Sequence, residues 1–162
     1  MRVGFGYDSH CLVEGRSLVL GGVVIPYEKG LLGHSDADVL LHSIGDAVLG
    51  AMAAGDLGTH FPDSDPLWKD ASSMDILGRI RDLMFSRGFV VNNIDSTLVL
   101  ELPKLKQNIP FMVRNIEKLF GLEQGRVSVK AKTNEKMGFT GRGEGIAAYC
   151  VVTITEKENL AP

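Results

Sequence analysis

The sequence predicts an α/β fold of the α+β sandwich type: a mixed four-stranded sheet with helices on one face, plus a separate β-hairpin. Two observations predict it. Short β-type apolar runs alternate with three stretches of helical periodicity, each with its own start residues and the last two with a glycine stop. The length of 162 residues suits one domain with a real core, so residues 1–162 are read as a single unit.

Residues 2–7 alternate loosely and form the first strand. Ser17 to Pro26 (SLVLGGVVIP) is two apolar runs around Gly21-Gly22, a hairpin signal. The loop YEKGLLGHSD leads into a helix from about Asp36 to Ala53, with Ser35 as N-cap and Asp38 three residues on at capping-box spacing. Leu40, Ile44, Val48 and Ala51 or Met52 supply its apolar stripe. Residues 55–71 (GDLGTHFPDSDPLWKDA) hold Gly, Pro and Asp at turn positions and read as a long ordered loop, a type usually kept for function. A second helix runs from about Ser72 to Arg87, capped by Ser72 with Asp75 and stopped by Gly88. The strand IDSTLVLEL lies within residues 90–102. A third helix spans about Ile109 to Phe120, with Pro110 in its first turn and Gly121 just past its end. RVSVKAK at 126–132 alternates cleanly, and IAAYCVVTIT at 146–155 is the last strand, with the glycine-rich MGFTGRGEG between them. A sheet covered on one face leaves the other to be buried by something else, which favours oligomerisation.

The composition narrows the function classes. Hydrophobic residues make up 44% and charged residues 23%, and the net charge of −3 argues against a nucleic-acid surface. Any phosphate must therefore be held by local groups: a metal, helix N-termini or a few cations. Two cysteines, Cys11 and Cys150, are too few and too far apart for a disulfide framework. The N-terminus has no apolar signal region and no run is long enough to span a membrane, so the expected location is the cytoplasm of a bacterium. An organelle form trimmed of a transit peptide would read the same way.

Asp8 and His10 follow the first strand at spacing i, i+2, which puts both side chains on one face. His42 on the first helix completes a set of one carboxylate and two imidazoles, suited to a borderline ion such as zinc. Three protein ligands leave a fourth position open, as in catalytic sites. Asp38 and Asp46, one turn either side of His42, are the expected partners for its other ring nitrogen. On spacing alone, packed or surface histidines fit equally well. His34 and Ser35, at the expected helix start, could meet an anion or simply cap the helix. Thr133 and Glu135 follow the alternating strand; Glu135 is either a carboxylate for a second, harder ion or a solvated loop residue. Arg142 and Glu144 read as an ion pair.

Taken together, G-x-D-x-H at Gly6–His10, GHSDADVLLH at Gly33–His42, GDLGTHFPDSDP at Gly55–Pro66, Pro103-Lys104 and AKTNEKMGFTGRGEG at Ala131–Gly145 resemble the 2-C-methyl-D-erythritol 2,4-cyclodiphosphate synthases, nearly end to end. The resemblance implies a homotrimer with active sites between subunits. It implies a cyclising phosphorus–oxygen lyase in which the 2-phosphate of 4-diphosphocytidyl-2-C-methyl-D-erythritol 2-phosphate attacks the β-phosphorus and expels CMP. Asp8, His10 and His42 would bind Zn2+, and Glu135 a second divalent ion, Mg2+ or Mn2+, on the substrate diphosphate. His34 and Thr133 would stabilise the transition state. Ser35, Asp56, Leu57, Gly58, Phe61, Pro62, Asp63, Ser64 and Asp65 would hold the methylerythritol phosphate. Leu100, Glu101, Leu102, Pro103, Lys104, Leu105 and Lys106, with Ala131, Lys132 and Thr133, would form the cytidine pocket from the adjacent subunit. Phe139 and Arg142 would line an axial cavity open to an isoprenoid diphosphate. Leu100 and Lys132 depart from the family pattern, Leu100 standing where a small residue is usual. Two other functions use the same residues: a metal-dependent phosphohydrolase that releases inorganic phosphate, and a trimeric sensor of prenyl diphosphates.

Overall fold

The computed structural model describes residues 1–62 and 64–157. In chain order the elements are β1 (Arg2–Glu14), β2 (Leu18–Leu20), β3 (Val23–Ile25), β4 (Lys29–Leu31), α1 (Val39–Ala51), α2 (Leu57–His60), a 3-10 turn at Pro66–Trp68, α3 (Ser73–Ser86), β5 (Phe89–Val99), α4 (Ile109–Phe120), β6 (Val127–Lys132), α5 (Gly138–Gly141) and β7 (Gly145–Glu156). The main sheet has five strands in the order β4-β1-β7-β5-β6, and β2 pairs with β3 as a separate hairpin. Among the described residues only β5 and β6 run parallel, joined by the α4 crossover; the other pairs are antiparallel.

The expected four strands become five because the loop after the hairpin contributes β4, whose Leu31, Gly30 and Lys29 pair with Leu12, Val13 and Glu14. That pairing also carries β1 well past residue 7. A side chain at Gly30 would overlap the Ser17 carbonyl, so only glycine lets β4 lie this close to the hairpin arm. The expected loop at 55–71 contains two short helical turns, each started by an aspartate: Asp56 accepts from Thr59 N–H at 2.9 Å and Asp65 from Leu67 N–H at 2.9 Å. The chain also folds into one turn of helix, α5, within the glycine-rich stretch. β5 ends at Val99, short of the expected 102, and Glu101 turns its carboxylate to the loop that follows β6.

The first helix starts later than expected. Ala37 has φ 57°, a left-handed conformation that no helix passes through, so α1 begins at Val39 with Asp38 rather than Ser35 as its cap. Buried Asp38 accepts from Leu41 N–H at 3.2 Å and from Gly22 N–H at 2.8 Å. One carboxylate thus caps the helix and ties it to the hairpin turn.

Side-chain alternation along β1 sorts the molecule into layers. Even-numbered positions face α1. Gly4 and Gly6 sit there because a Cβ would collide with the Ala47 and Ser43 carbonyls, so helix and strand touch backbone to backbone. The core lies on this side, built from Leu40, Ile44 and Leu49 of α1, Leu77, Ile80 and Met84 of α3, Met112 and Ile116 of α4, and Ile94, Leu98, Ile146, Val152 and Ile154 of the sheet. Odd positions face away. Val3, Phe5 and Tyr7 of β1 stand beside Tyr149 and Val151 of β7 on the other face, all substantially exposed. The Tyr7 and Tyr149 ring centroids are 5.0 Å apart. The helices are therefore on one face, and the other is an uncovered apolar surface.

Candidate metal centre and cavity

Two elements bring the cluster together. Asp8 and His10 continue the inward face of β1 beyond the glycines, and the close approach that Gly6 allows sets His42 of α1 against them. Asp8 Oδ2 lies 3.0 Å from His10 Nε2 and 3.0 Å from His42 Nδ1, and the two ring nitrogens are 3.1 Å apart. A tetrahedral ion with bonds of about 2.0–2.1 Å holds its ligand atoms about 3.3 Å apart, so this triangle is nearly the right size and its donors suit zinc. Burial pushes the Asp8 carboxyl up, but hydrogen bonds to His10 and His42 outweigh it and hold the group well below the usual carboxylate range. For His42, burial lowers the imidazole value; the hydrogen bond and charge of Asp8, then the charges of Asp38 and Asp36, bring it above normal. The cluster thus offers an anionic oxygen and a basic nitrogen.

The outer ring nitrogen of His42 does not meet Asp38 or Asp46. Asp38 is committed to backbone N–H groups, and Asp46 accepts from Leu57 N–H at 2.8 Å, tying α1 to the start of α2. Instead, His42 Nε2 lies 2.9 Å from Ser73 Oγ and 3.2 Å from Ser35 Oγ. The Ser73 hydroxyl donates to Asp36 Oδ1, and Asp36 Oδ2 accepts from Ser73 N–H at 3.0 Å. Ser73 and Asp36 were not anticipated from the sequence, because they meet His42 only through the packing of α3 on α1. The one available signal was a second serine beside the Ser72 cap.

The cluster opens onto a cavity of about 520 Å³, also lined by Gly33, His34, Ser35, Asp46, Asp56, Leu57, Gly58, Phe61, Trp68 and Ile76. His34, Ser35, Asp56, Leu57, Gly58 and Phe61 were expected here, whereas Gly33, Trp68 and Ile76 were not. Trp68 packs edge-on against Phe61 at 4.9 Å between centroids and under the Arg79 guanidinium at 5.0 Å. His34 Nε2 reaches the Asp65 carbonyl at 3.3 Å. The Ser35 hydroxyl accepts from Ala37 N–H at 3.1 Å, and its carbonyl accepts from Arg16 at 2.7 Å. At the helix start expected to take an anion, Leu41 N–H donates to the Asp38 carboxylate and His42 N–H to the Asp38 carbonyl. Pro62, Ser64 and Asp65 belong to the adjoining loop without lining the cavity, and Asp63 lies outside the described residues.

A second group of expected residues sits elsewhere, at the C-terminal ends of the parallel strands β5 and β6. Leu100 N–H extends that ladder to Lys132 O at 3.0 Å. Glu101 Oε1 accepts from Asn134 N–H at 2.9 Å and Lys136 N–H at 3.2 Å, holding the loop on which Thr133 donates to Glu135. Leu100 and Leu105 are buried in the core, so the bulk of Leu100 goes into packing. Leu102, Pro103, Lys104, Lys106 and Ala131 belong to this same rim, apart from the cluster's cavity. Phe139 and Arg142 lie on and just after α5; Arg142 Nε donates to Glu144 Oε1 at 2.8 Å. Within one chain, therefore, the Asp8–His10–His42 cavity and the Thr133–Glu135 rim are separate.

A model of the YgbB family matches residues 1–155. The 2-C-methyl-D-erythritol 2,4-cyclodiphosphate synthase of Geotalea daltonii is 55% identical over 162 residues, covering 100% of this chain and 95% of the relative. Its namesake in Geobacter metallireducens is 56% identical over 157 residues, covering 97% of this chain and all of the relative. Among solved structures, a 2C-methyl-D-erythritol-2,4-cyclodiphosphate synthase in a CDP-bound form superposes with TM-score 0.88 at 36% identity, over 95% of this chain and 100% of its own. The bifunctional IspDF of Campylobacter jejuni superposes with TM-score 0.92 at 42% identity; it covers 96% of this chain, which spans only 42% of that longer one.

Proposed function

The chain belongs to the YgbB family, and from that membership we propose that it converts 4-diphosphocytidyl-2-C-methyl-D-erythritol 2-phosphate to 2-C-methyl-D-erythritol 2,4-cyclodiphosphate and CMP. The observation that carries this reading is the Asp8–His10–His42 triangle opening onto a cavity lined by His34, Ser35 and Asp56.

In the reaction, a 2-phosphate oxygen bonds to the β-phosphorus while the bond from that phosphorus to the α–β bridging oxygen breaks. CMP leaves with the bridging oxygen and no water is consumed. Such an in-line displacement asks the protein for positioning and charge neutralisation rather than a nucleophile. Zinc at Asp8, His10 and His42, when bound, supplies Lewis-acid neutralisation of phosphate charge. The Ser35 hydroxyl already accepts from Ala37 N–H, which leaves its own proton free for a phosphate oxygen. His34 holds the Asp65 carbonyl only at 3.3 Å and can turn its N–H to the charge that develops at phosphorus. Asp56 faces the cavity as an acceptor for the substrate's hydroxyls, and Leu57, Phe61, Trp68 and Ile76 surround its methyl-bearing carbon chain.

The Thr133–Glu135 rim completes the site from a neighbouring subunit of a homotrimer. Two features support this: the rim residues do not line the cluster's cavity within one chain, and the apolar face of Phe5, Tyr7, Tyr149 and Val151 needs a cover. Glu135 would hold the second divalent ion, which would release the Thr133 hydroxyl proton from Glu135 for the transition state, and the backbone of 100–106 and 131–132 would receive the cytidine. In that trimer Phe139 and Arg142 would line an axial cavity that takes an isoprenoid diphosphate. Among the described residues no helix is long and apolar enough to cross a membrane, and kinship with bacterial enzymes supports a place in the bacterial cytoplasm.

His42→Ala tests the site. It should lose bound zinc and CMP release while keeping its fold, and zinc content equal to wild type would refute the ligand assignment.

A further inference from the structure

His42 can bind an ion through Nδ1 only if that nitrogen carries a lone pair, which requires the ring proton to sit on Nε2. The surroundings of Nε2 decide the matter. Ser73, 1% exposed, gives its single hydroxyl proton to Asp36 Oδ1, so only oxygen lone pairs face His42 Nε2 at 2.9 Å. Ser35 Oγ, the other neighbour at 3.2 Å, accepts from Ala37 N–H and keeps its own proton for the cavity. With Nδ1 on the ion, the chain then runs one way: Nε2–H donates to Ser73, and Ser73 donates to a carboxylate. Asp36 is itself held in place, with Oδ2 on Ser73 N–H at 3.0 Å and Oδ1 accepting Asp38 N–H at 3.2 Å. Asp36 N–H in turn donates to Ala71 O at 3.1 Å, anchoring the residue to the segment just before α3.

We propose that Ser73 and Asp36 are positioning residues for metal binding: a serine-bridged relay that locks His42 into the Nδ1-ligating tautomer and orients its ring. The proposal rests on the reading of Asp8, His10 and His42 as a metal site. A carboxylate acting through a hydroxyl replaces the direct carboxylate–histidine contact commonly found behind metal-bound imidazoles. It also gives α3 a task beyond packing, since its first residue carries the relay while Ser72 caps the helix. Ser72 Oγ accepts from Met74 N–H at 3.2 Å and does not touch the cluster.

The test is the affinity of the purified full-length protein for Zn2+, measured by competition with a chromophoric chelator, together with the visible spectrum of its Co2+ form. Ser73→Ala should weaken zinc binding about ten- to hundredfold and shift the cobalt bands. Ser73→Thr, which keeps the hydroxyl, should restore both. Asp36→Asn should weaken binding in the same direction, and it decides the question if Ser73→Ala does not fold. Ser72→Ala should lower thermal stability while leaving zinc affinity and the cobalt spectrum unchanged. Wild-type affinity and spectrum in folded Ser73→Ala or Asp36→Asn would overturn the relay and leave the metal site standing. Failure of the wild-type chain itself to bind zinc would overturn the metal site instead.

Discussion

At the residue scale, the metal cluster follows from two rules of side-chain geometry and one of backbone sterics. The strand period of two made Asp8 and His10 legible as a pair, and the glycine at position 6 lets His42 reach them. The partner of His42 was not legible: helical spacing offers only neighbours on the same helix, whereas Ser73 comes 31 residues later on another one. Protons compete with metal for these ligands, and the sign of the competition follows from the two shifts. Asp8 is held below its ordinary range, so it stays anionic on mild acidification and contributes little to the loss. His42 is held above its ordinary value in the metal-free protein, so a proton on Nδ1 displaces metal at a higher pH than for a free imidazole. The apparent zinc affinity, measured by chelator competition, should therefore weaken on acidification from a pH above the ordinary histidine range downward. An affinity that does not change with pH through that range would contradict the arrangement.

At the element scale, helix stops and starts were read well where local chemistry decides them. Ser72, Gly88, Pro110 and Gly121 bound α3 and α4 within a residue or two of expectation. The start of α1 departs from the local pattern: the Ser35–Asp38 spacing fits a capping box, but the left-handed Ala37 interrupts the helix between them. Asp38 takes the cap and the Gly22 N–H together, a tertiary role that local patterning does not reveal. Asp38→Ala leaves both N–H groups unpaired in the core and should cost about 2–4 kcal/mol of unfolding free energy, read by urea titration. A cost under about 0.5 kcal/mol would show that the carboxylate does not join hairpin and helix. Burial pushes Asp38 up to about 6, offset only in part by the backbone hydrogen bonds of Gly22 and Gly21. Because its folded value lies above the ordinary one, its contribution is fully present below the ordinary carboxylate range. That contribution is lost as pH rises through about 6.

At the scale of the whole molecule, the one-faced sheet and the division of the expected site into two remote groups have a common explanation in the proposed trimer. The layer architecture was legible from alternation, although the fifth strand was not: three residues of β4 are too short to produce a period. A complementation experiment tests the shared site. His42→Ala and Glu135→Ala are each expected to be inactive. After unfolding and refolding together in equal amounts, random trimers should regain about a quarter of wild-type sites, since each needs one intact residue from either neighbour. No recovery in trimers verified as mixed would place both residues in one chain's site.

The most direct test of the account follows the phosphorus atoms of the reaction. The cytidyl substrate is incubated with the zinc- and magnesium-loaded enzyme in heavy-oxygen water and the products are read by phosphorus NMR and mass spectrometry. The expected products are CMP and a cyclic diphosphate, neither carrying solvent oxygen, with formation abolished by chelator. Inorganic phosphate, or a product labelled from water, would mean that the Asp8–His10–His42 cavity hydrolyses its substrate and does not close it into a ring.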